Sequence, residues 1–112
     1  MTDIVVVYVT APVEVAPAIA RQLVESKLAA CVNIVPAIRS IYSWEGATQD
    51  EAESLMIIKT ARATFESLRE SIVKIHPYQT AEVIALPIEA ANAPYREWVL
   101  SESTGKPKGG HA

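Results

Sequence analysis

The stretch Ala30-Cys31-Val32-Asn33-Ile34-Val35-Pro36-Ala37-Ile38-Arg39-Ser40-Ile41-Tyr42-Ser43-Trp44, with its return from Glu51 to Thr60, decides the fold. Its even positions are Ala30, Val32, Ile34, Pro36, Ile38, Ser40, Tyr42 and Trp44, while the odd ones include Asn33, Arg39 and Ser43. Period-two alternation of this kind puts one mostly apolar face on a β-strand. It persists across Pro36, which cannot donate to a ladder and so predicts an edge position or a bulge where the strand bends. After a polar connection through Glu45, Gly46, Ala47, Thr48 and Gln49, the return strand is apolar on both faces at Leu55, Met56, Ile57 and Ile58. The pattern is that of a long β-hairpin.

A straight strand from Ala30 to Trp44 spans roughly 50 Å at about 3.3 Å per residue. A compact domain of this length has a radius of gyration of about 13 Å, so the hairpin is expected to protrude. The alternative is that Pro36 folds the strand back onto its own domain. A protruding tip carrying Ile41, Tyr42 and Trp44 leaves apolar surface and an unpaired edge in water, and further copies of the chain are expected to cover it.

Outside the hairpin, Ile4 to Val9 form a β-branched run of the kind found in strands buried on both faces. Pro12 and Glu14 suit the first turn of a helix, and Val15, Ala16, Ile19, Ala20, Leu23 and Val24 share one helical face. Phe65, Leu68, Ile72 and Ile75 mark a second helix that ends before His76-Pro77, because proline disfavours helical geometry in the residue ahead of it. Tyr78 to Ala81 read as a loop, Glu82 to Pro87 as a fourth strand, and Tyr95, Trp98 and Val99 as a short helix entered near Asn92 to Pro94. This order predicts an α+β, ferredoxin-like split βαβ fold, βαββαβ plus a C-terminal helix, with the first and third strands central. One domain over residues 1–103 and a disordered tail over 104–112 are expected.

The chain has 112 residues, half of them apolar, one cysteine and a formal net charge of −3. That is enough material for a core, and no apolar run is long enough to cross a membrane, so no membrane partner is expected. Met1-Thr2-Asp3 lacks a basic n-region, which predicts no signal peptide and, with the single cysteine, a cytoplasmic location. The acidic balance, without a block of Lys and Arg, predicts no nucleic-acid partner. Four glycines, three of them in the tail, cannot write a phosphate-cradling loop, and neither a nucleophile-and-base arrangement nor paired catalytic carboxylates are visible. No enzymatic activity is expected.

Several segments resemble the CutA family of divalent-cation tolerance proteins. They are Val9-Thr10-Ala11-Pro12, Lys27-Leu28-Ala29-Ala30-Cys31-Val32-Asn33, Ser40-Ile41-Tyr42-Ser43-Trp44-Glu45-Gly46, Ile58-Lys59-Thr60, His76-Pro77-Tyr78-Gln79-Thr80 with Glu82, and Pro87-Ile88 followed by Tyr95 and Trp98. The resemblance implies a ferredoxin-like subunit in a tight homotrimer whose hairpins wrap neighbouring subunits. It also implies cytoplasmic binding of copper(II) or another divalent metal, without an organic cofactor. The family's proposed copper ligands are a cysteine at the end of the first strand and paired histidines before the Pro-Tyr. This chain has Val9 and Ile75 at two of those positions and keeps His76, and Ala81 replaces the proline common after the Gln-Thr.

Three side chains are therefore candidate metal ligands. The His76 imidazole suits copper, zinc or nickel, and equally suits a helix C-terminus. Cys31 offers a soft thiolate or packs as a small hydrophobe. Glu82, where the loop enters a strand, completes a site or binds nearby backbone N–H groups. Asp50, Glu51 and Glu53 read as a solvated face. Tyr42, Trp44, Tyr78 and Trp98, with Ile41, are expected at the subunit interface. Two functions follow from different classes. One is a trimeric metal-binding protein of metal-ion homeostasis. The other is a signalling module resembling the trimeric PII-like proteins, with a small ligand in clefts lined by the Tyr78 loop and a neighbouring hairpin.

Overall fold

The computed structural model describes residues 2–106. In chain order the elements are β1 (Ile4–Ala11), α1 (Ala16–Glu25), β2 (Cys31–Trp44), β3 (Ala47–Ala61), a 3-10 turn (Arg62–Thr64), α2 (Phe65–Ile75), β4 (Val83–Pro87) and α3 (Ala93–Glu102). The strands form one antiparallel sheet in the order β2-β3-β1-β4, with β1 and β3 at its centre. This is the expected split βαβ arrangement with a C-terminal helix.

One face of the sheet carries α1 and α2. Leu23, Leu68 and Ile72 from these helices close over Val7 and Val9 of β1 and Met56 and Ile58 of β3. Full burial of such side chains stabilises by roughly 1.5–3 kcal/mol each. The opposite face is covered at one end only, where α3 sets Val99 against Ile4 and Ala30. The expectation that β1 and β3 are buried on both faces is therefore corrected for the single chain. Val6, Tyr8, Leu55 and Ile57 are only half-buried, and Val35, Ile84 and Leu86 on the same face are exposed.

The hairpin differs from its sequence reading at two points. Its connection is not the five residues from Glu45 to Gln49, because β3 already begins at Ala47 opposite Trp44. Glu45 and Gly46 make the turn alone, with φ of 51° and 81°. Two consecutive left-handed residues match the right-handed twist of the flanking strands. The second point is Pro36. The register runs Val35↔Leu55 and then Ile38↔Glu53, so β2 spends one residue more than β3 across the proline. The result is a bulge on an edge strand, and it inverts the alternation. Val32 and Ile34 lie on the helix-covered side with Ile58 and Met56, whereas Ile38, Ser40, Tyr42 and Trp44 lie on the open side with Glu53, Glu51 and Gln49. The unbroken even-position pattern thus serves two faces in succession. Ser54 fastens the bulge: its hydroxyl, 1% exposed, donates to the Pro36 carbonyl at 2.8 Å.

The hairpin gives the molecule principal extents of 45 × 34 × 22 Å and a radius of gyration of 14.7 Å. That exceeds the roughly 13 Å of a compact chain of this length. The expectation that α1 starts near Pro12 is also corrected. The Pro12 carbonyl accepts from the Val15 and Ala16 N–H groups in a separate turn, and the helix begins at Ala16 with Pro17 in its first turn. Both prolines satisfy the same rule, that a missing N–H is harmless there. α2 ends as expected, with His76 extended at φ −74° and ψ 136° ahead of Pro77. At the other end of the described chain, the Gly105 N–H donates to the Lys27 carbonyl at 2.8 Å. Residues 107–112 of the expected disordered tail, including His111, lie outside the described residues.

Replacing Ser54 by alanine would leave the Pro36 carbonyl without its donor inside the hairpin. A loss of about 1–2 kcal/mol in urea unfolding is expected, the scale of one buried hydrogen bond. An unchanged midpoint would show that the bulge is held by packing alone.

Candidate functional site

The C-terminal end of β1, the bulged half of β2 and the segment between α2 and β4 meet at one end of the sheet. Between them lies a cavity of about 720 Å³, bordered by Thr10, Ser40, Tyr42, Trp44, Glu53, Tyr78 and Glu82 among others. The inverted face of β2 places it there. Without the bulge, Tyr42 and Trp44 would point to the other side of the hairpin.

His76 anchors the segment. It is 7% exposed; its Nε2–H donates to the Thr10 carbonyl at 2.7 Å and its Nδ1 accepts the Tyr78 N–H at 3.1 Å. This pairing requires the tautomer protonated on Nε2. The ring also packs against Tyr78, with centroids 4.7 Å apart. Both nitrogens are thus engaged within the chain, in the structural arrangement that the position ahead of Pro77 allows.

Glu53 is the feature that the sequence did not reveal. Expected on a solvated face, it is 5% exposed and accepts the Tyr78 hydroxyl at 2.9 Å. Glu51, two residues along the same face, accepts the Tyr42 hydroxyl. Asp50 lies on the other side of the hairpin in a bidentate pair with Arg39, at 2.8 and 2.7 Å. These contacts move the titrations. The hydrogen bond to Glu51, with some burial, pushes the Tyr42 phenol up to about 12. Burial, then Glu53, raises Tyr78 further. Arg39 holds the Asp50 carboxyl below its usual range. The only sequence signal for Glu53 was a carboxylate two positions from Leu55 on the same face; its partner is 25 residues away in a loop.

The three candidate ligands are dispersed. Cys31 is half-buried opposite Lys59, its thiol 3.7 Å from the Asn33 side-chain oxygen. Thr10, which carries the His76 contact, pairs with Leu55, four residues further along β3. At about 3.3 Å per residue that is roughly 13 Å along the sheet. Glu82 is exposed on the cavity rim. Among the described residues, no group of three or more His, Cys, Asp and Glu is arranged to hold a metal ion. The aromatic candidates divide similarly. Tyr42, Trp44 and Tyr78 share the cavity, with Ile41 beside them, whereas Trp98 packs with Tyr95 on α3 at a centroid distance of 5.7 Å. Ile41 and Trp44 are 64% and 40% exposed.

His76→Ala would strip the Tyr78 N–H of its acceptor and the Thr10 carbonyl of a donor, and a destabilisation of about 1–3 kcal/mol in urea is expected. A second outcome concerns alkali. Because Tyr42 titrates higher folded than unfolded, its contribution to stability is complete below about pH 10 and is lost as pH rises through about 12. Phenolate absorbance should show one tyrosine ionising near 12, and Glu51→Gln should bring it down. A Tyr42 titration unmoved by that change would contradict the assigned hydrogen bond.

Comparison with known proteins agrees with this architecture. Residues 5–102 match the family model described as CutA1 divalent ion tolerance protein. Protein CutA of Mus musculus is 52% identical over 93 residues, covering 82% of this chain and 52% of that protein, so the chain spans about half the length of this relative. The divalent-cation tolerance protein CutA of Thermus thermophilus is 48% identical over 101 residues, covering 89% of this chain and 97% of that one. A solved structure titled PII-like protein CutA from Nostoc, in apo form, superposes with a TM-score of 0.85 at 33% identity, covering 88% of this chain and 96% of that one. On sequence, topology and hairpin alike, the chain belongs to the CutA1 divalent ion tolerance protein family.

Proposed function

We propose that the chain is a non-enzymatic, cytoplasmic, homotrimeric protein of metal-ion homeostasis. It binds copper(II) or another divalent cation through ligands that more than one copy supplies. The observation that carries this reading is the half-covered sheet. Val35, Ile84 and Leu86 stand exposed on that face, Tyr42 and Trp44 continue it along the hairpin, and Ile41 is exposed on the hairpin's other side, and exposed apolar side chains grouped in this way mark an interaction surface. Closed homo-oligomers bury such faces against copies of themselves. The dispersion of Cys31, His76 and Glu82 adds the second half of the reading, because a chelating set then has to draw donors from neighbouring copies. The family and relatives are named for cation tolerance and not for a reaction. Among the described residues no helix is long and apolar enough to cross a membrane.

The cavity favours a second reading alongside the first. A concave space of about 720 Å³ with rings and a few polar groups has the dimensions of a small-molecule site, and a signalling role like that of PII-like proteins would use it.

Light scattering should report three chains per particle. Trp44→Ala should weaken assembly by about 2–4 kcal/mol, as for an aromatic interface anchor. Calorimetric titration with copper(II) should show stoichiometric uptake per trimer, reduced in His76→Ala. A monomeric particle would overturn the assembly, and identical copper isotherms for wild type and His76→Ala would remove His76 from the ligand set.

A further inference from the structure

We propose that His76 takes a divalent cation through Nδ1 in exchange for the Tyr78 N–H, so that metal occupancy is coupled to release of the Tyr78 segment from the end of α2. The inference rests on the reading above that His76 contributes to a divalent-cation site, and adds the ligating atom and the contact that its use displaces.

The two ring nitrogens are not equivalent. A carbonyl oxygen only accepts and a backbone N–H only donates, so the contacts to Thr10 and Tyr78 fix a neutral ring protonated on Nε2, with its lone pair on Nδ1. An imidazole ligates a metal through that lone pair. Metal-bound histidines commonly donate their other ring N–H to a backbone carbonyl, which sets the tautomer and the orientation of the ring. The Thr10 carbonyl, 2.7 Å from Nε2, is already in that place. Freeing Nε2 instead would mean displacing Thr10, which lies in the central strand β1 and pairs with Leu55 of β3.

The Nδ1 lone pair is taken by the Tyr78 N–H at 3.1 Å, and one electron pair cannot serve that bond and a metal together. The residue is only 7% exposed, so a cation reaches the ring once a neighbouring group moves. Tyr78 is the neighbour able to do so. Residues 77–82 belong to no helix or strand. Three contacts hold Tyr78: its N–H on Nδ1, its ring against the imidazole at 4.7 Å, and its hydroxyl on Glu53 at 2.9 Å. They lie within one chain, and each copy of an assembly carries its own set. Metal affinity is reduced by the cost of opening them. By reciprocity, a change that loosens Tyr78 tightens binding at His76.

The test uses the full chain carrying His111→Ala, which leaves His76 as the only imidazole, with zinc(II) as a diamagnetic probe. Nitrogen-15 spectra should show zinc moving the Nδ1 resonance while Nε2 keeps its proton, and the Tyr78 amide should exchange with solvent about tenfold faster at saturation. Tyr78→Phe, which removes the bond to Glu53 and leaves His76 in place, should bind zinc(II) roughly two- to tenfold more tightly, the scale of one hydrogen bond. Ligation at Nε2 would overturn the exchange while leaving a cation site at His76. So would ligation with Tyr78 amide exchange and Tyr78→Phe affinity both unchanged. No binding of zinc(II) or copper(II), or binding that leaves both ring nitrogens undisturbed, would remove His76 from the ligand set and the inference with it.

Discussion

The bulge at Pro36 is the constraint on which the remaining architecture turns. One extra residue in β2 moves every later side chain of the strand to the other face of the hairpin. Before it, Val32 and Ile34 complete the core under the helices; after it, Tyr42 and Trp44 line the cavity opposite the Tyr78 segment. The Ser54 hydroxyl satisfies the carbonyl that the bulge exposes. A proline, a serine and a shift of one residue thus join a hydrophobic core to a polar recess within a single strand.

The Tyr78 segment is fixed from the other direction. His76 uses both ring nitrogens to tie the end of α2 to β1 and to hold the Tyr78 backbone, and Tyr78 in turn buries Glu53. Helix end, central strand and hairpin therefore meet through one imidazole and one phenol. His76, which reads from sequence either as a ligand or as a helix-end residue, also serves as a joint between elements, and Glu53, which reads as part of a solvated face, is the most enclosed acid of the site.

What could be read in the sequence was what local physics determines. The helix end before Pro77, the entry of α3 near Asn92 to Pro94 and the central placement of β1 and β3 all follow from backbone restriction or from runs of β-branched residues. What could not be read depends on pairing across the sheet. Alternation through Pro36 has the same appearance with or without a bulge, because only the partner strand shows the shift. Glu45-Gly46 is a weak turn signal, since glutamate seldom takes a left-handed conformation, so the polar residues from Ala47 to Gln49 read as connection although they already belong to β3. The separation of Cys31 from His76 is set by the registers of β2 on β3 and β3 on β1, and neither is written locally.

The two outer strands of the sheet also differ in what they offer to the backbone of another molecule. β4 is five residues long and ends on Pro87, so it exposes little hydrogen-bonding edge. β2 is fourteen residues long, but Pro36 removes a donor near its middle and the bulge bends the ladder there. Each side of that interruption is a short, twisted segment and not a flat template. Strand addition along β2 is therefore limited to a few hydrogen bonds at a fixed register. A long exposed edge that would ordinarily invite open-ended fibre growth is thereby broken into segments too short to template it.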